Sequence, residues 1–70
     1  MKSRLRLLRA ERDWTQEDLA AAIGVSRQAI NALEKERHDP SLDLAYKIAG
    51  AFGLPVEQVF PNPHDRRNSP

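Results

Sequence analysis

What most constrains this chain is a run of capping and turn residues at fixed spacing between Thr15 and Glu34, T-Q-E-D-L-A-A-A-I-G-V-S-R-Q-A-I-N-A-L-E. Thr15 has the side chain of a helix N-cap, and Asp18, three positions on, can help neutralise the exposed amides of the first turn. Leu19, Ala20 and Ile23 then lie on one face of the helix so begun. Gly24 suits the left-handed position that ends such a helix. Ser26 caps a second helix, predicted from about Arg27 to Glu36. Two short helices are therefore joined by the turn I-G-V-S, with their start and stop signals in place.

The second of these helices divides into two faces. At about 100° per residue, Ala29, Ile30, Leu33 and Glu34 fall on one side. Arg27, Gln28, Asn31, Ala32 and Lys35 form a contiguous arc of roughly 140° on the other. Arg and Gln side chains can pair bidentately with base edges, Asn with adenine, and a methyl group with thymine. A helix, a tight turn and a second helix with such an outer face make a helix-turn-helix, the shape that lays its second helix in the DNA major groove. Double-stranded DNA is the expected partner. A merely solvated amphipathic helix would show a similar arc, but without the capped helix and turn in front of it.

Size and composition narrow the alternatives. A chain of 70 residues makes one domain and buries only about 60% of its unfolded surface, so association would help its stability. There is no cysteine, which excludes disulfides and thiolate metal sites. The N-terminus M-K-S-R-L-R-L-L-R has no apolar leader pattern, and no run approaches a membrane span. A cytoplasmic protein that does not engage membranes is expected. The net charge is only +1, but Lys2, Arg4, Arg6, Arg9 and Arg12 are opposed within the first twelve residues by Glu11 alone. That basic end is consistent with phosphate contact.

Five helical segments and no strand pattern can be read, which makes the fold class all-α, a compact five-helix bundle. Besides the central pair, helices are predicted over about Ser3 to Arg12, about Leu42 to Phe52, and from Pro55 through about Phe60. Pro40 bars the residue before it from helical geometry, Ser41 caps the helix from Leu42, and Gly53 ends that helix. Pro55 fits a helical first turn. The apolar stripes converge on one predicted core: Leu5, Leu8, Leu19, Ala20, Ile23, Val25, Ile30, Leu33, Leu42, Ala45, Ile48, Phe52, Leu54, Val56 and Val59. Residues 1–60 form the expected DNA-binding domain. Residues 61–70, P-N-P-H-D-R-R-N-S-P, have no apolar period and are expected to be a flexible tail.

The run L-R-x-E-R-x-W-T-Q-E-D-L-A-x-x-I-G-V-S-R-Q-A-I-N-x-L-E-K, followed by P-S-L and K-I-A-x-A-F, resembles the XRE family, the phage repressor and Cro type of helix-turn-helix regulators. The resemblance covers residues 1–60. It implies a lambda-repressor-like five-helix domain that binds a palindromic operator as a homodimer and regulates transcription. It further implies that Gln16 contacts a phosphate, and that Gln28 contacts bases and braces Gln16. Arg27, Asn31 and Ala32 match other base-contacting positions, and Lys35, Arg37 and His38 match positions that meet the DNA backbone. Arg9 and Glu34 match a pair that forms an interhelical salt bridge in some members. The chain departs from the family at Trp14, where a smaller aliphatic residue is usual, and in the loop E-R-H-D-P, which lacks the frequent glycine.

Arg9 and Glu34 each border an apolar stripe, and charges so placed need partners. The expected dimer interface is Val56, Phe60 and Pro61, apolar near the chain end where a monomer has little left to cover them, adjoined by Tyr46 and Gly50 on the outer side of the helix from Leu42. His38 and His64 have no supporting ligands, so no metal is expected. There is no nucleophile–base spacing and no glycine-rich phosphate loop, so neither an enzyme nor a cofactor is expected. The alternative function is an antitoxin-like module that binds a partner protein as well as DNA, gripping it with the tail from Pro61.

Overall fold

A computed structural model of the chain describes residues 1–66. Five helices succeed one another: α1 Leu5–Glu11, α2 Gln16–Ile23, α3 Arg27–Glu34, α4 Leu42–Phe52 and α5 Val56–Val59. α2 packs against α3 and α4, α4 against α5, and α1 crosses α3. The core between them holds Leu5, Leu8, Leu19, Ala20, Ile30, Leu33, Ala45, Ile48, Ala49, Phe52, Val59 and Phe60.

The helix starts obey the side chains read from the sequence. Thr15 Oγ1 accepts from the Asp18 amide at 3.0 Å while Asp18 Oδ2 accepts from the Thr15 amide at 2.9 Å, a reciprocal capping box. Ser26 and Ser41 each accept an amide three residues on, from Ala29 and Leu44, at 3.1 Å. α1 lacks a side-chain cap at Arg4. Its first turn is held instead by Ser3 Oγ, which accepts from the Leu5 amide, and by the Arg4 amide, which donates to the Val59 carbonyl at 2.8 Å. The Arg4 guanidinium reaches the Gln58 carbonyl at 3.2 Å, so the first helix is fastened to the last.

The helix ends share one geometry but not one residue type. A left-handed residue comes after α1, α2, α3 and α4, at Asp13, Gly24, Glu36 and Gly53. In each case the next amide donates to a carbonyl five residues back: Trp14 to Arg9, Val25 to Ala20, Arg37 to Ala32 and Leu54 to Ala49. Gly24 and Gly53 adopt this conformation freely. Asp13 (φ 55°) and Glu36 (φ 59°) carry a Cβ there, at about 1 kcal/mol each. Glu36 therefore stands where the sequence lacks a glycine, and α3 ends at Glu34, two residues before the predicted stop. The Ser3 amide donates to Glu36 Oε1 at 3.1 Å, which holds that turn against the N-terminus.

Trp14 packs on Phe52 with ring centroids 5.1 Å apart. Arg12 lies over both rings and donates to the Phe52 carbonyl at 2.9 Å. The unusual tryptophan thus closes the gap between the end of α1 and the end of α4.

The core differs from the predicted one in several places: Ile23, Val25 and Leu54 are half-buried at its edge, and Ala49 joins it. Leu42, the first residue of α4, is 68% exposed, and Leu44 packs inward there instead. Val56 is only half-buried. Phe60, expected on a dimer surface, is 4% exposed and belongs to the core. α5 stops at Val59 and Phe60 is extended, so the helical step of 100° no longer separates neighbours, and both Val59 and Phe60 turn inward. In the segment after Phe60, Pro61 is half-buried and the His64 amide donates to Asn62 Oδ1 at 2.9 Å. The rest of the expected tail, residues 67–70, lies outside the described residues.

Phe60→Ala should destabilise the domain by about 3–5 kcal/mol, the cost of emptying an aromatic core position. Chemical denaturation measures it, and a loss below about 1 kcal/mol would remove Phe60 from the core.

Candidate nucleic-acid interface

The capped start of α2 and the outer face of α3 meet in a shallow concavity lined by Gln16, Arg27, Gln28, Asn31, Ala32 and Arg37. Ser26 sets where α3 begins, and Ile30 and Leu33 fix its rotation by burying its other side. Arg27 and Gln28 are consequently exposed, and Asn31 and Ala32 are half-buried at the floor. Lys35, Arg37 and His38 come next in the turn after α3, all exposed. Gln16 stands opposite, half-buried on the first turn of α2.

Beneath this face lies a polar network. Arg9 Nε donates to Glu34 Oε2 at 2.5 Å and Arg9 Nη2 to Glu34 Oε1 at 2.9 Å, a bidentate pair across α1 and α3. Arg9 Nη1 donates to the Trp14 carbonyl at 2.7 Å. The Arg9 and Glu34 side chains keep only 14% and 6% of their exposure. Gln16 Nε2 donates to Glu34 Oε1 at 3.2 Å, and Asn31 Nδ2 donates to Gln16 Oε1 at 3.4 Å. Among the described residues no buried side-chain nitrogen or oxygen lacks a hydrogen-bond partner. Burial pushes the Glu34 carboxyl up, but hydrogen bonds from Arg9 and Gln16 and the charges of Arg9 and Arg6 together hold it below the usual glutamate range. The bond to Glu34 keeps Arg9 above its ordinary value, against burial.

Two expectations change here. Gln28 makes no hydrogen bond to Gln16; Asn31 and Glu34 do, lying about one and nearly two turns further along α3 and facing the start of α2. The basic N-terminus is also largely engaged within the protein. Arg9 is paired with Glu34, Arg12 caps Phe52, and Arg4 caps Gln58. The expected dimer residues are dispersed in their exposure. Tyr46 is 62% exposed and Gly50 is open with nothing within 4 Å of an added Cβ, whereas Phe60 is in the core. His38 and His64 are exposed, and no trio of His, Asp or Glu among the described residues could hold a metal. No helix among the described residues is long and apolar enough to cross a membrane.

A capped helix, a glycine turn and a second helix with an open polar face define a helix-turn-helix DNA-binding fold. The helix-turn-helix family model matches residues 5–59. A protein of Methanocaldococcus jannaschii described as an uncharacterized HTH-type transcriptional regulator is 55% identical over 60 residues, 86% of this chain and 91% of that protein. The cryptic phage CTXphi transcriptional repressor RstR of Vibrio cholerae is 39% identical over 57 residues, 81% of this chain but about half of the repressor, 51%. The crystal structure of the hypothetical transcription factor NHTF from Neisseria matches with a TM-score of 0.70 at 36% identity, over 76% of this chain and 60% of that one. The chain belongs to the XRE-type helix-turn-helix family of DNA-binding transcriptional regulators.

The Arg9–Glu34 pair generates a test of stability. Arg9→Met leaves a nearly buried carboxylate without its main partner and should cost about 3 kcal/mol, whereas Arg9→Met with Glu34→Leu should cost less than the two single changes summed. An additive cycle would remove the coupling. Because Glu34 is depressed in the folded state, the unfolded chain binds the extra proton. The stabilisation is therefore present above about pH 4.3, the ordinary glutamate value, and is lost as pH falls through the depressed one. Denaturation midpoints measured across that range should fall with acid, and fall less in Glu34→Gln.

Proposed function

We propose that this protein binds a palindromic operator as a homodimer, with α3 of each copy in the major groove, and regulates transcription by occupying the site. The observation that carries the reading is the open concavity of α3, where Arg27, Gln28, Asn31 and Ala32 lie together outside a buried Ile30–Leu33 stripe. These are the side chains suited to base edges: Arg for guanine, Gln and Asn for adenine, and the Ala methyl for thymine. Gln16, Lys35, Arg37 and His38 border the same face and are the proposed backbone contacts, which set register without reading sequence. Arg27, Lys35 and Arg37 are exposed cations with no ion pair among the described residues.

Dimerisation is argued from the reach of one α3. A single recognition helix covers only a few base pairs, and two-fold pairing doubles the site with half-sites about 34–36 Å apart. We assign the dimer surface to the outer side of α4, where Tyr46 and Gly50 are exposed, with the half-buried Val56 and Pro61 beside it. Phe60, in the core, is not part of it.

Gln28→Ala or Arg27→Ala should cost about 1–3 kcal/mol at the preferred site and relax preference at particular bases, while Lys35→Ala and Arg37→Ala should weaken all duplexes alike. Fluorescence anisotropy with selected and random duplexes separates the two patterns. Equal losses on both duplexes for Gln28→Ala would overturn base readout.

Tyr46→Asp should give monomers with an unchanged helical spectrum and reduced operator affinity. Sedimentation of the unmodified chain is the control, and a monomer that binds with full affinity would exclude the pairing.

A further inference from the structure

Glu34 does more than pair with Arg9. Resting on the reading of α3 as the recognition helix, we infer that Glu34 is a positioning residue that fixes which way two amide side chains point at the DNA surface. The reason lies in donors and acceptors. A guanidinium has only donors to offer, and Arg9 spends two of them on Glu34. The carboxylate so held can only accept. Gln16 therefore meets Glu34 Oε1 with its amide nitrogen, at 3.2 Å, and not with its carbonyl. Its carbonyl oxygen is thereby turned to α3, where it accepts from Asn31 Nδ2 at 3.4 Å.

Each link sets the sense of the next. The second amide hydrogen of Gln16 remains for an acceptor, which a phosphate oxygen is. Asn31 keeps its carbonyl oxygen and its second amide hydrogen, the acceptor–donor pair that matches the N6 amino group and N7 of adenine. Reversal of Gln16 would set its carbonyl against the carboxylate. Reversal of Asn31 would set its carbonyl against that of Gln16. The ion pair at the α1–α3 crossing thus reaches the reading face as hydrogen-bond direction, through two side chains, although Glu34 is not itself on that face.

A glutamine at position 34 offers both a donor and an acceptor, so Glu34→Gln releases both amides to turn. Gln16→Leu breaks the chain at its middle and leaves Arg9–Glu34 intact, which guards against a result caused by misfolding. The measurement is base preference, position by position, from selection of a random duplex library with each purified full-length variant, beside thermal melting of each. Asn31→Ala identifies the position that Asn31 reads. Both Glu34→Gln and Gln16→Leu should lower adenine discrimination at that position about tenfold, while preferences lost in Arg27→Ala and Gln28→Ala persist. A purely structural role for Glu34 would lower affinity for all sequences in step with stability and leave every preference in place. If Gln16→Leu retains the adenine preference, the relay is overturned and the recognition helix stands. The relay also falls, alone, if Asn31→Ala changes no preference while Arg27→Ala or Gln28→Ala does. If no change in α3 alters any preference, the reading of α3 falls with it.

Discussion

One charged contact ties the crossing of α1 over α3, the bidentate bond between Arg9 and Glu34. Two ions so little exposed are tolerable only when each is satisfied by several partners. Here the third arm of the guanidinium takes the Trp14 carbonyl, and the carboxylate also accepts from Gln16. The same contact therefore fixes the turn after α1, the start of α2 and the inner flank of α3. Apolar packing supplies most of the stabilisation and sets which face of each helix is buried. The ion pair adds direction, because its bidentate geometry holds only over a narrow range of relative placements.

A second constraint is the way the chain closes. α1 has seven residues, too few to persist alone. It is held by α3 beneath it, by Arg4 at the end of α5, and by Arg12 at the end of α4. The aromatic contact of Trp14 with Phe52 seals the same edge. In a domain this small, where a hydrophobic core alone gives a narrow margin, such carbonyl-directed arginines substitute direction for bulk.

Much of this was legible in the sequence, and the rest was hidden for identifiable reasons. Thr15, Ser26 and Ser41 marked three helix starts and Gly24 and Gly53 two helix ends, because each acts on its nearest backbone amides or carbonyls. The ends at Asp13 and Glu36 were not marked, since no local signal says that a residue with a side chain will adopt a left-handed φ; packing imposes it. Phe60 and Leu42 are misplaced by periodicity, which assumes an unbroken helix: one lies past a helix end and the other is the first residue of its helix, with no preceding turn beside it. The outer arc of α3 could be read from spacing alone. The partners of Gln16 could not, since they depend on how α2 crosses α3, and neither could the engagement of Arg4 and Arg12, whose acceptors are carbonyls that every residue carries.

The bond from the Arg4 amide to the Val59 carbonyl has a kinetic consequence. Contacts between α2 and α3 and between α4 and α5 join neighbours in sequence, the kind that forms early in folding, whereas α1 packs on α3 and reaches Val59, 55 residues away along the chain. Loop closure of that span is repaid only when the surface that receives α1 exists. The topology argues that α1 is the last helix to dock and the first to leave. Until it docks, the Glu34 carboxylate stays hydrated. On that order its dehydration and its capture by Arg9 coincide, so the chain need not bury a lone charge on the way to the native state.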